Sequence, residues 1–81
     1  MTRQQLHQLR AMVAQICGQT VVFFAKNGRR GYIRRTGRID GVYPDVFTIC
    51  VPEGAGERRL SFTYTDIATK SVRFKDMQQL A

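Results

Sequence analysis

Between Thr20 and Phe74 the sequence breaks into five short β-forming stretches separated by turn signals, and that spacing confines an 81-residue chain to small, mainly β architectures. Thr20-Val21-Val22-Phe23-Phe24-Ala25 is β-branched and aromatic, as strands prefer, and Asn27-Gly28 follows as a turn. Tyr32 to Val42 reads as a long second strand interrupted by Gly37 and Gly41; glycines in such places mark a bulge or a sharp bend. After the turn Tyr43-Pro44-Asp45, the apolar run Val46–Val51 predicts a strand buried on both faces, lying between barrel and helix. Pro52–Glu57 reads as a loop. Leu60, Phe62 and Tyr64 then alternate with Arg59, Ser61 and Thr63, the period of a half-buried strand. Thr65–Ala68 predicts a single capped helical turn, Val72 and Phe74 a last short strand, and Asp76–Ala81 a fraying tail.

Ahead of this β region the pattern has helical period. Thr2 and Gln5 stand at capping-box spacing, Leu6, Leu9, Val13, Ile16 and Cys17 make one apolar stripe, and Gly18 is placed to end the helix in the left-handed conformation. The expectation is one domain over residues 1–81, α+β but mainly β. A helix over 3–17 would cover one open end or face of a five-stranded SH3-like barrel over 20–75. The OB-fold is the rival five-stranded barrel, but its helix usually falls where this chain has only a Gly-rich loop.

Charge narrows the partners. Thirteen Lys and Arg, ten of them Arg, against six Asp and Glu give +7, which favours polyanions: RNA, DNA, acidic proteins or anionic membranes. From Lys26 to Arg38 there are six cations and no acid, around a turn rich in Arg and Gly. Lys26, Arg29, Arg30, Tyr32, Arg34 and Arg38 are therefore the candidate nucleic-acid-binding residues, with Tyr32 stacking on a base or sugar and the arginines on phosphates. Tyr32, Arg34, Thr36 and Arg38 share strand parity. Arg35 shares parity with Ile33 and Ile39, so either Gly37 resets the register or Arg35 lies at the barrel rim. Arg59 and Arg73, from a sparser set with Arg58, Lys70 and Lys75, are candidates to extend the patch. The same charges would also suit a solvated edge strand guarded against aggregation. Gly28-Arg29-Arg30-Gly31 matches the GXXG of KH domains, but that loop joins two helices and this one joins two strands.

Other chemistries find little support. Cys17 and Cys50 belong to no C-x-x-C and His7 is the single histidine, so the expectation is no metal, no cofactor and two buried free thiols. The acids fall in or beside turns and strand ends, where Asp40, Asp45 and Asp66 suit turns or caps. No nucleophile motif or Walker loop is present, so no enzymatic activity is expected. No apolar run approaches a membrane span, and the first residues lack a signal-peptide pattern, which implies the cytoplasm.

Gly28-Arg29-Arg30, Arg35-Thr36-Gly37, Tyr43-Pro44-Asp45-Val46-Phe47 and Arg59-Leu60-Ser61-Phe62-Thr63-Tyr64-Thr65-Asp66-Ile67, with Thr69 and Val72, resemble in order and spacing the Veg family of small bacterial proteins. The resemblance implies an SH3-like barrel, a cytoplasmic location and no enzymatic role. It also implies stimulation of biofilm formation through altered gene expression, by antagonising a transcriptional repressor. It carries over no ligand-binding residues, and the N-terminal helix and Gly54-Ala55-Gly56 match only loosely. Two partner classes follow: nucleic acid (RNA or DNA), from charge, or a transcriptional regulator protein bound by the basic face or a sheet edge. A homodimer through an edge or the helix is compatible with either.

Overall fold

The computed structural model describes residues 2–28 and 31–75. Helix α1 spans Arg3–Gln15, followed by strands β1 (Thr20–Lys26), β2 (Tyr32–Val42), β3 (Val46–Glu53) and β4 (Gly56–Thr63), helix α2 (Tyr64–Ala68) and strand β5 (Val72–Phe74). The expected tail Asp76–Ala81 lies outside the described residues.

The Thr2 hydroxyl opens α1 by accepting the Gln5 N–H at 3.1 Å. The helix stops at Gln15, two residues short of the expected end. Ile16 and Cys17 instead close tighter bonds back to Val13 and Ala14, and Gly18, at φ +86°, swings the chain so that its N–H reaches the Ile39 carbonyl at 2.7 Å. Pairing with β2 thus takes over from the helix. Val13 is fully buried in the core, against which Leu6, Leu9, Met12 and Ile16 also pack, while Cys17 is exposed, contrary to its expected burial. The helix rests on α2 and β2, not on β3 as expected.

All five strands are antiparallel in one sheet of order β4-β3-β2-β1-β5. Neighbouring strands lie ~4.8 Å apart, so β1 and β4 would be roughly 14 Å apart in a flat sheet. Yet the rings of Phe23 on β1 and Phe62 on β4 are 5.9 Å apart, as are those of Phe47 on β3 and Phe74 on β5. The sheet is therefore curled around a shared aromatic core, which the buried Tyr64 ring joins 5.5 Å from Phe47. Its edges β4 and β5 are not hydrogen-bonded to each other among the described residues, so the expected barrel is here a curled open sheet.

Two positions in β2 let the sheet bend. Gly37 faces the core opposite Val21, and a Cβ there would lie 2.6 Å from Ile49 Cγ2, 2.9 Å from the Cys50 carbonyl and 2.9 Å from Val51 Cγ1. Only a residue without a side chain permits that approach. The register with β3 then shifts between Ile39 and Gly41, a bulge that increases local twist.

Phe47 to Val51 are all buried, as the apolar run predicts. Pro52–Glu57, expected as a loop, is mostly strand: Glu53 pairs with Gly56 around the two-residue turn Gly54-Ala55, and Gly54 takes the positive φ (+59°) that such a hairpin requires. Tyr64, expected to end the fourth strand, instead begins α2. Thr63 and Asp66 close a reciprocal capping box there, and the Tyr64 hydroxyl donates to the Tyr43 and Val46 carbonyls at 2.7 and 3.2 Å.

Candidate nucleic-acid interface

The β1–β2 register runs unbroken from Thr20↔Arg38 to Lys26↔Tyr32. Side chains directly opposite in a ladder share a face, so Lys26, Tyr32, Phe24, Arg34, Val22, Thr36 and Arg38 all stand on the outer side, away from the aromatic core. On the other flank of β1, Phe24 also pairs with Arg73 of β5. Three strands thereby form one outer row, Arg34–Phe24–Arg73, with Phe24 half-buried between two exposed guanidinium groups.

Tyr32 and Lys26 form the next row. The Tyr32 hydroxyl donates to the Lys70 carbonyl at 2.6 Å, which holds the ring against the β5 side, and Arg73 lies 5.9 Å from the ring centroid. Lys70 presents that carbonyl from the left-handed region, φ 65°, just past the end of α2. Tyr32 is 44% exposed, so the residue is anchored at the tip of its side chain yet remains open to solvent. Among the described residues, the recorded ion pairs involve none of Lys26, Arg34 or Arg73. A fixed aromatic surface beside three free cations can stack a base and hold the flanking phosphates.

Arg38 and Arg59 belong to a different arrangement. Both flank Cys50 on the outer side, through the pairs Arg38↔Cys50 and Cys50↔Arg59. Arg59 Nε lies 3.0 Å from Asp40, and Arg38 approaches Asp40 at 3.9 Å and Glu57 at 4.0 Å. The Arg59 guanidinium is held above its ordinary value, first by its contact with the Cys50 side chain and then by the Asp40 charge. Two cations and two carboxylates make this cluster neutral. Its place on β2, four residues from Arg34, puts it ~13 Å away along the strand. The expected continuous patch is thus two: a cationic half with Lys26, Tyr32, Arg34 and Arg73, and an ion-paired half with Arg38 and Arg59. Asp40 makes the difference. It is neither cap nor turn former, but a residue at the β2 bulge with the same outward parity as Arg38, and that parity was its signal in the sequence.

Arg29 and Arg30 lie outside the described residues. On either side of them Gly28 and Gly31 have positive φ, and the Asn27 N–H closes on the Gly31 carbonyl at 2.7 Å. Arg35 pairs with Phe23 on the core-facing side but is exposed, so the rim alternative holds and Gly37 does not reset the β1 register. Phe24, at the centre of the cationic row, was missed because neither its strand's facing nor its pairing with β5 is legible from β1 alone.

Among the described residues, no group of three or more His, Cys, Asp and Glu side chains is placed to hold a metal ion, and no helix is long and apolar enough to cross a membrane. Both cysteines are unpaired. Arg10 donates to Nδ1 of the exposed His7 ring at 3.0 Å and to the Pro44 carbonyl at 3.1 Å. A family model described as biofilm formation stimulator VEG matches residues 4–75. No curated protein matches the chain.

Proposed function

We propose, from the premise that the chain belongs to the VEG family of biofilm formation stimulators, that it is a non-enzymatic cytoplasmic regulator of gene expression that binds nucleic acid through the outer face of β5-β1-β2. The observation that carries this reading is the row Arg34–Phe24–Arg73 beside the anchored Tyr32, a cationic and aromatic surface with no ion-paired acid among the described residues. In this reading Arg34, Arg73 and Lys26 neutralise phosphates, Tyr32 stacks on a base, and Arg29 and Arg30 add charge from the β1–β2 connection. The strand order, the curled sheet and the short helix before β5 are, in this reading, those of an SH3-like fold, left open between β4 and β5 among the described residues.

The test is fluorescence anisotropy of labelled single-stranded RNA, single-stranded DNA and duplex DNA across a salt series, with protein freed of co-purifying nucleic acid. Five cations on phosphates predict a log–log salt slope of roughly −3.5 to −4.5. Binding that survives near physiological salt with a preference among the three supports the reading. Binding seen only at low salt, equal for all three, refutes it. A second reading, regulation by contact with a protein such as a transcriptional repressor, is favoured by the exposed stretch Tyr32–Thr36 of β2, which pairs with β1 but, among the described residues, not with β3.

A further inference from the structure

β2 is paired with β1 along Tyr32–Arg38, but with β3 only from Arg38 onward. The ladder's parity explains what is left over. The Ile39 N–H and carbonyl bond to Gln19 and Gly18 on the β1 side. Alternation then turns the main chain of Gly37, Arg35 and Ile33 toward β1, and that of Arg38, Thr36 and Arg34 away from it. Arg38 pairs with Cys50. The next β3 residue that would serve Thr36 is Pro52, which has no N–H to give. Pro52 is tolerated in β3 because its partner on the other flank, Glu57, sits at a non-bonded position of the β3–β4 ladder. One proline thus stops the ladder and, among the described residues, leaves Thr36 and Arg34 with main-chain donors and acceptors on an open edge. Tyr32 to Thr36 are five consecutive exposed residues.

The side chains along that edge define what fits it. Arg34 stands on the outer side and Arg35 on the core-facing side, next to Ile33, which is 38% exposed. Tyr32–Arg38 holds three arginines and no acid. A second copy of this strand would bring arginine against arginine, so the edge rejects self-pairing. An extended segment with two adjacent acidic residues would instead place one carboxylate on each side, opposite Arg34 and Arg35, with an apolar neighbour over Ile33. We propose that the Tyr32–Thr36 edge of β2 is a strand-addition site for an extended acidic segment of a partner protein, recognised by alternate main-chain hydrogen bonds and by Arg34 and Arg35. This site shares Arg34 and Tyr32 with the nucleic-acid face across β5-β1-β2, but its main-chain donors and acceptors and Arg35 lie along the edge, outside that face.

The experiment uses a capped peptide of about ten residues, alternating Val and Thr with Glu-Glu at its centre, its Lys-Lys counterpart, and two isomers of the Glu-Glu peptide N-methylated on one or the other alternate set of amides. Only one of those sets can face β2, whatever the strand direction. The acidic peptide is expected to bind, to slow amide exchange at Arg34 and Thr36, and to outcompete the Lys-Lys form at least tenfold. One N-methyl isomer is expected to bind at least tenfold more weakly than the other, because it loses the edge bonds. The double variant Lys26→Ala, Arg73→Ala, which alters the outer face only, is expected to retain that isomer selectivity even where oligonucleotide binding falls. No binding at about 1 mM peptide (a free energy weaker than about −4 kcal/mol), equal affinity of the two isomers, or exchange at Arg34 and Thr36 slowed by an oligonucleotide but not by the peptide would each overturn the proposal.

Discussion

Arg34 with Arg73, and Arg38 with Arg59, are two arginine pairs of equal formal charge on one outer surface, and the structure predicts opposite consequences for removing them. In the variant Arg34→Ala, Arg73→Ala, two cations that have no ion-pair partner among the described residues leave the row around Phe24. Each phosphate contact contributes about 0.7 to 0.9 to the log–log salt slope, so this variant should flatten it by about 1.4–1.8. In Arg38→Ala, Arg59→Ala, the arginines removed are those held by Asp40 and Glu57. Their charge is already balanced locally, and the ~13 Å to Arg34 exceeds the screening length of about 8 Å at physiological salt. The carboxylates left behind are therefore largely screened from the cationic half, and the slope should change by less than about 0.5. Both variants alter exposed side chains, so circular dichroism should report the wild-type fold. Anisotropy titrations of the best oligonucleotide from 50 to 300 mM salt (about 0.05–0.3 M, where the dependence is log-linear) supply the slopes. Equal flattening by the two variants, or a larger effect of the second, would show that the ion pairs do not withdraw Arg38 and Arg59, and would refute the division of the surface.

Gly37→Ala should destabilise the protein by about 2 kcal/mol, since the new Cβ meets the Cys50 main chain and two core side chains while backbone entropy returns only a fraction; the thermal midpoint should fall by about 8–16 °C, and a fall under 2 °C (less than about 0.5 kcal/mol) would mean that the close approach is absent. Burial raises the Tyr64 phenol above its ordinary value, against the opposing charge of Arg10. The unfolded chain therefore loses this proton first, so stability is full below pH ~10 and declines as pH rises through and above it. Tyr64→Phe should flatten that alkaline limb in urea titrations and cost about 1–2 kcal/mol at neutral pH, through the bond lost to the Tyr43 carbonyl. Lys70→Gly relieves a left-handed backbone and should stabilise by about 0.5–1 kcal/mol in the same assay, provided the Tyr32 bond to its carbonyl persists.

Local chemistry makes much of this fold legible in the sequence. The turn at Asn27-Gly28, the bounds of β2 at Tyr32 and Val42, and the buried run Phe47–Val51 follow from pattern and composition, because turn chemistry and burial on both faces are written in consecutive residues. Element ends were less legible. Tyr64 has strand parity with Leu60 and Phe62, yet the capping box of Thr63 and Asp66 draws it into α2. The helix stripe would run on to Cys17, yet pairing with Ile39 stops it at Gln15.

By itself the sequence determined a small, mainly β chain with one N-terminal helix, a net charge of +7, and an arginine-rich second strand with its outward parity. Those properties rest on periods of two and 3.6 residues and on formal charge, and no distant contact can change them. Only the tertiary structure decided which arginines remain available. Arg73 comes from β5, 39 residues after Arg34, and reaches its side only because β5 pairs with β1. Arg59 is neutralised because the bulge in β2 and the pairing with β3 bring Asp40 beside it. The curl of the sheet, the role of Pro52 in opening the β2 edge and the anchoring of Tyr32 by Lys70 are likewise products of register. Register joins residues far apart in the chain, so parity within any one strand cannot disclose it.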